Sequence, residues 1–169
     1  MRLPAIFLIG AAALLAGCAG YHLGPASGAV AREKSIEVLP FNNQTLQPRL
    51  GDAVTQALRE RLQADVTYHL ATRDGGDVVV SGVITRYHRQ GMSYLSGDAT
   101  TTQNYRVDIV AHVIARERAT GKALLDKNVT AYALVNVGTD LASSERQATP
   151  LLAEDLARNI AELLTDGGW

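Results

Sequence analysis

The chain has 169 residues, with 16 Lys+Arg against 17 Asp+Glu and a formal net charge of −1. A balance so close to neutral excludes the strong basic excess that draws a protein to nucleic acid, and the length is that of one domain. A single cysteine excludes an intrachain disulfide framework, so a core must hold the fold.

That cysteine, Cys18, closes a hydrophobic leader. Arg2 gives a basic start, Ala5 to Leu15 is apolar, and Leu15-Ala16-Gly17-Cys18 reads as a bacterial lipobox. The apolar run is too short for a ~30 Å hydrocarbon core, which takes about 20 residues, and has the length of a signal-peptide core. The expected processing removes Met1–Gly17 and lipidates Cys18 as a membrane anchor. The alternative is an ordinary secretory cut near Ala16 or Ala19. Without the 17 leader residues 152 remain, and without Arg2 the net charge falls to about −2. Ala19 replaces the aspartate that retains bacterial lipoproteins in the inner membrane, so the outer membrane is the expected address. Cys18 to Lys34 reads as a tether, because Gly20, Gly24, Pro25, Ser27 and Gly28 break any periodicity and Arg32, Glu33 and Lys34 keep it solvated.

One folded domain is expected over Ser35–Trp169. Ser35 to Phe41 alternates as a strand, with Pro40 marking an edge or an end because it cannot donate to a ladder. Asn42-Asn43-Gln44-Thr45 is a turn. A helix follows from Pro48 to Gln63, since Leu50, Val54, Leu58 and Leu62 recur at helical spacing with Asp52, Arg59 and Glu60 facing away. Asp65 to Leu70 is a short extended piece, and Arg73-Asp74-Gly75-Gly76 a turn. Asp77 to Tyr87 is the clearest strand; Gly82 within it points to a bulge or to something packed closely overhead. Arg89 to Thr102 is polar and reads as a long hairpin connection, with extended arms as the alternative to a loop. Tyr105 to Arg116 alternates with period two, Ala119-Thr120-Gly121-Lys122 is a tight turn, and Ala123 to Val135 is the antiparallel return. Ser144 and Gln147 have capping-box spacing, and Thr149-Pro150 is a second candidate start for a last helix. Leu152, Leu156, Ile160 and Leu164 form its apolar stripe, and Gly167-Gly168 end it.

Both helices are apolar on one face only, so each must bury that face on the sheet. The expected architecture is α+β, a two-layer sandwich with both helices on one face of a four-stranded, mostly antiparallel sheet. The first strand and the Asp77–Tyr87 strand would be parallel through a right-handed crossover.

Chemistry is sparse. His22, His69, His88 and His112 share no metal-ligand spacing, and no nucleophile elbow or phosphate-cradling glycine loop occurs. No enzyme activity, cofactor or metal is implied. Two basic groups stand out: Arg86, His88 and Arg89 where one strand leaves the sheet, and Arg116, Arg118 and Lys122 about the Thr120-Gly121 turn. Guanidinium forks suit phosphate, whereas charges near hairpins also serve as solvated guards of strand edges.

Cys18-Ala19-Gly20-Tyr21-His22-Leu23, then Ile36-Glu37-Val38-Leu39-Pro40-Phe41-Asn42-Asn43-Gln44-Thr45, resembles the mature start of the lipopolysaccharide-assembly lipoprotein family LptE. The similarity continues through the Pro48–Gln63 helix, Asp77-Val78-Val79-Val80-Ser81-Gly82-Val83-Ile84, the Ala119–Lys122 hairpin and the final helix. The resemblance implies a non-enzymatic outer-membrane lipoprotein that plugs the large LptD β-barrel and binds lipopolysaccharide. Under it, Arg86, Arg89, Arg116 and Lys122 become candidate lipopolysaccharide or anion contacts. The strand Ile36–Asn42 is also similar to the opening strand of CsgG and LpoB lipoproteins, which form secretion pores or activate cell-wall synthases.

Overall fold

The computed structural model describes residues 35–65, 68–71, 75–95, 97–136 and 140–166. The leader, Cys18, the tether, Arg73-Asp74 and Gly167-Gly168 lie outside the described residues. Within them run β1 (Ser35–Val38), β2 (Asn42–Asn43), α1 (Leu50–Ala64), β3 (His69–Leu70), β4 (Val78–Leu95), β5 (Asp98–Glu117), β6 (Ala123–Asn136) and α2 (Leu141–Asp166). No described helix is long and apolar enough to cross a membrane.

The class is α+β with two helices, but the expected sheet needs correction. It has six strands rather than four, in the order β3-β1-β4-β5-β6, with β2 also paired to β4. Nor is it mostly antiparallel: the β1–β3, β1–β4 and β2–β4 pairings are parallel, and only β4–β5 and β5–β6 are antiparallel. The added strands are β2 and β3, each two residues long, which is too short to leave a periodic signal. Both extend the parallel side, because each helix or loop crossover returns the chain in the direction it left.

β1 and β2 occupy one lane along β4, broken in the middle. Val38 pairs with Val80 and Asn42 with Val83, so four steps of chain oppose three of β4. Pro40 sits in this bulge, where its missing N–H costs no ladder bond. The Phe41 ring turns inward and lies on Gly82, in space that a Cβ there would fill. The close packing expected over Gly82 is therefore Phe41. The Phe41 N–H donates to Thr55 Oγ1 at 2.9 Å, and the Thr55 hydroxyl donates to the Gly51 carbonyl at 2.7 Å. Thr55 is the one buried polar residue of the described core. This node ties the broken lane to the first turns of α1, and Arg59 Nη2 adds a bond to the Val38 carbonyl at 2.7 Å.

Core residues follow the two periods. Leu50, Val54, Leu58 and Leu62 of α1 and Leu152, Leu156, Ile160 and Leu164 of α2 are fully buried. They meet Ile36, Val78, Val80 and Ile84 and the alternate residues Val107 to Ala115 and Val129 to Val135. Many of the latter are alanines, which lets α2 lie close over β5 and β6. The opposite sheet face carries Val79, Ser81, Val83, Val110, His112 and Ile114, none of them fully buried.

α2 begins earlier than either expected start. Asp140 is its cap: Oδ1 accepts from Ala142 N–H at 3.2 Å, and Oδ2 from Ser143 N–H at 3.0 Å and from the Ser143 hydroxyl at 2.7 Å. Pro150 lies inside the helix. The polar stretch Arg89–Thr102 is a hairpin with extended arms, since β4 and β5 run on as paired strands to Leu95 and Asp98. Their residues are polar because this part of the hairpin has little core to bury.

Two outcomes test this description. Gly82→Ala forces a methyl into the Phe41 ring and should destabilise by about 1–3 kcal/mol in chemical denaturation, the usual range for overpacking. The bonds from Ser143 and Ala142 hold the Asp140 carboxyl below its ordinary value of 3.8. The cap is thus fully present above that value and is lost as pH falls through the depressed one. Asp140→Ala should lower the thermal midpoint at neutral pH, and its gap to the parent should close as the pH is taken well below 3.8.

Candidate functional site

The register decides where the four candidate cations stand. Up to Ile84, even-numbered residues of β4 face the helices. Thr85 is then an extra residue: Ile84 pairs with Ala111 but Arg86 with Val110. Past this bulge the phase is reversed, so Tyr87, Arg89 and Gly91 take the helix side and Arg86, His88 and Gln90 the open side. Arg86 and Arg89, adjacent in the sequence argument, project from opposite faces. Arg116 lies six residues from Val110 along β5, which places it roughly 20 Å from Arg86 at about 3.4 Å per residue. The four residues therefore form no single site.

Their pairing differs as well. Arg89 Nη1 donates to Glu145 Oε1 of α2 at 2.7 Å, with Glu145 largely shielded. Arg86 is exposed and has no hydrogen-bond or ionic partner among the described residues. Arg116 reaches only the Gly121 carbonyl of its own hairpin at 3.4 Å, and Lys122 is exposed. Arg118, grouped with them in sequence, is engaged structurally: it pairs with Glu37 and donates from Nε to the Gly76 carbonyl at 2.8 Å. His112 lies between Asn128 at 3.1 Å and Asp126 at 3.3 Å on the open face, a satisfied cross-strand contact. No group of three metal-ligating side chains occurs among the described residues.

Arg86 and Arg89 flank a cleft of about 420 Å³, also lined by Gln44, Thr45, Leu46, Gln47, Tyr87 and Glu145. Its rim is the turn after β2, held by its own side chains. Asn43 Oδ1 accepts from the Thr45 N–H and hydroxyl at 3.0 and 2.7 Å, and Asn43 Nδ2 donates to the Gln47 carbonyl at 2.7 Å. Leu46, at the tip, is fully exposed. Beneath the Arg89–Glu145 pair lies Tyr87, whose buried hydroxyl is the only buried side-chain polar atom in the described residues without a partner. Burial first, and then the Glu145 charge, push the phenol up to about 12, against a smaller opposing pull from Arg89. Sequence reasoning missed Tyr87 and Glu145. The phase slip was visible, since the apolar positions Val78, Val80 and Ile84 are followed by Tyr87. Glu145 stands 56 residues from its partner and carried no signal.

The LptE family of lipopolysaccharide-assembly proteins matches residues 33–166, nearly all of the described fold. The chain belongs to this family. Among solved structures, the fold is shared with a Xanthomonas campestris protein at 10% identity, TM-score 0.57, covering 80% of this chain and 85% of that one. A hypothetical protein of Chlamydia trachomatis aligns at 11% identity, TM-score 0.54, over 78% and 95% of the two chains. A minor lipoprotein of Acinetobacter baumannii aligns at 15%, TM-score 0.52, over 79% and 93%. At such identities the likeness is one of fold. No curated protein matches by sequence. Membership of the LptE family gives the chain a role in lipopolysaccharide assembly.

The cleft makes a measurable claim. Glu145→Gln should lower the Tyr87 titration only in part, because burial is the larger cause, whereas Arg89→Gln should move it further up, followed by ring-carbon NMR shifts against pH.

Proposed function

We propose that this protein is a lipid-anchored, non-enzymatic partner of a large outer-membrane β-barrel of the LptD kind, and that it contacts lipopolysaccharide during insertion. The observation that carries the reading is the family match across the folded unit. Cys18 at a lipobox supplies the anchor, and the stretch to Lys34 supplies reach towards a partner in the same membrane. A mixed polar surface of modest charge suits the polar lumen of a wide barrel. The family match favours this over the pore-subunit or synthase-activator alternative.

Of the four candidate contacts, Arg86 and Lys122 have side chains free to meet a phosphate, whereas Arg89 is committed to Glu145. Arg116 and Lys122 form a second, separate point on the far hairpin. Arg89 acts by holding the cleft together.

Purification of the full lipoprotein from outer membranes in mild detergent should bring a large β-barrel with it. A ring of identical subunits, or a cell-wall synthase, would overturn the reading. In that preparation Arg86→Gln, and separately Arg116→Gln with Lys122→Gln, should each weaken lipopolysaccharide binding by about 2- to 5-fold at low salt, the scale of exposed ion pairs. Unchanged affinity in both would remove these residues from the binding surface.

A further inference from the structure

β6 and the far half of β4, which β1 and β2 no longer flank, are finished differently. On β6 two outward main-chain groups are taken by α2: Tyr132 N–H donates to Asp155 Oδ2 at 3.1 Å, and the Thr130 carbonyl accepts from Asn159 Nδ2 at 2.8 Å. Side chains of one helix thus occupy the middle of this edge.

The far half of β4 has no such cover. Leu39 N–H donates to the Val80 carbonyl at 2.9 Å and Gln44 N–H to the Ile84 carbonyl at 3.0 Å. Even-numbered residues up to Ile84 therefore turn their backbone groups towards the β1/β2 lane. The Thr85 bulge moves that role to Tyr87, Arg89 and Gly91, whose N–H and C=O groups point into the lane's continuation. β2 has ended at Asn43, and no described strand replaces it. The 420 Å³ cleft stands in this vacated lane. An unpartnered Tyr87 hydroxyl lines it, and Leu46 overhangs it. Its lining carries a net positive charge: Arg86 stands unpaired among the described residues on one face, while Arg89 on the other is paired with Glu145.

We propose that the vacated lane beside Tyr87–Gly91 is a strand-addition site for an extended, acidic segment of a partner protein. Main-chain bonds to Tyr87, Arg89 and Gly91 would supply the pairing, as in β-augmentation. Acidic side chains on alternate positions would face Arg86 and His88, and apolar ones would meet Leu46 and supply the water-free side over Tyr87. The chain already fills the first half of this lane with its own β2, so the guest continues an existing strand rather than founding one. This surface shares Arg86 with the lipopolysaccharide reading above but rests on the open lane of β4, so amide exchange tests it apart from lipopolysaccharide affinity.

The test uses the full lipoprotein in detergent with a peptide of about eight alternating glutamate and valine residues, its lysine–valine counterpart, inorganic phosphate and lipopolysaccharide micelles. Amide exchange is followed residue by residue. The glutamate peptide should slow exchange at Tyr87, Arg89 and Gly91 by about 10-fold, with the lysine peptide and phosphate inert. Arg89→Pro removes one outward N–H and no ladder bond, so it should abolish the protection, whereas Arg89→Gln should only weaken it. Should Arg89→Pro unfold, protection of the parent amides decides alone. Absence of protection with any peptide overturns the proposal. Equal protection by phosphate or lipopolysaccharide also overturns it, and makes the cleft an anion site.

Discussion

The packing of one aromatic ring against one glycine organises this fold. Phe41 can lie flat on β4 only because Gly82 has no side chain, and it can turn inward only because the lane bulges at Pro40. With the ring seated, its own N–H is delivered to Thr55 and α1 is drawn up against the chain, where Gly51 leaves room for the Phe41 carbonyl. The crossing from sheet to helix layer is therefore fixed at a single buried knot. The same knot ends the first lane after two more residues. Everything on the far half of β4, the cleft included, is a result of where that lane stops.

The Thr85 bulge is the second constraint. One extra residue exchanges the faces of all that follows, so a basic triplet that looks like a patch in sequence is divided between two surfaces. It also brings Tyr87 under the helices and lets Arg89 reach Glu145. The division changes the chemistry: one guanidinium is spent on internal order and the other is left to solvent.

Much of this was legible beforehand, where a period repeats often enough. The stripes of α1 and α2, the alternation of β5 and β6, the Gly121 turn with its positive φ, and an object over Gly82 could all be read from residue spacing. What could not be read has a common cause. β2 and β3 are two residues each, and two residues have no period: Asn42-Asn43 reads as a turn, and β3 falls within an extended piece whose pairing carries no signal. The arms of the β4–β5 hairpin pair without a core, so no apolar alternation separates extended arms from a loop. The cap at Asp140 competed with Ser144 and Thr149, which make back-bonds within the helix to the Asp140 and Glu145 carbonyls instead. The Arg89–Glu145 pair depends on tertiary geometry alone. The fold is shared with solved structures at only 10 to 15% identity.

The covered rim of β6 has a consequence for how many molecules can gather. A sheet with both rims bare can stack end to end without limit, each copy offering to the next what it received from the last. Here Asp155 and Asn159 occupy two main-chain groups midway along β6, so a strand laid there would have to displace both bonds. The uncovered half of β4 asks for no such exchange. Stacking of copies rim to rim is therefore disfavoured at the β6 side.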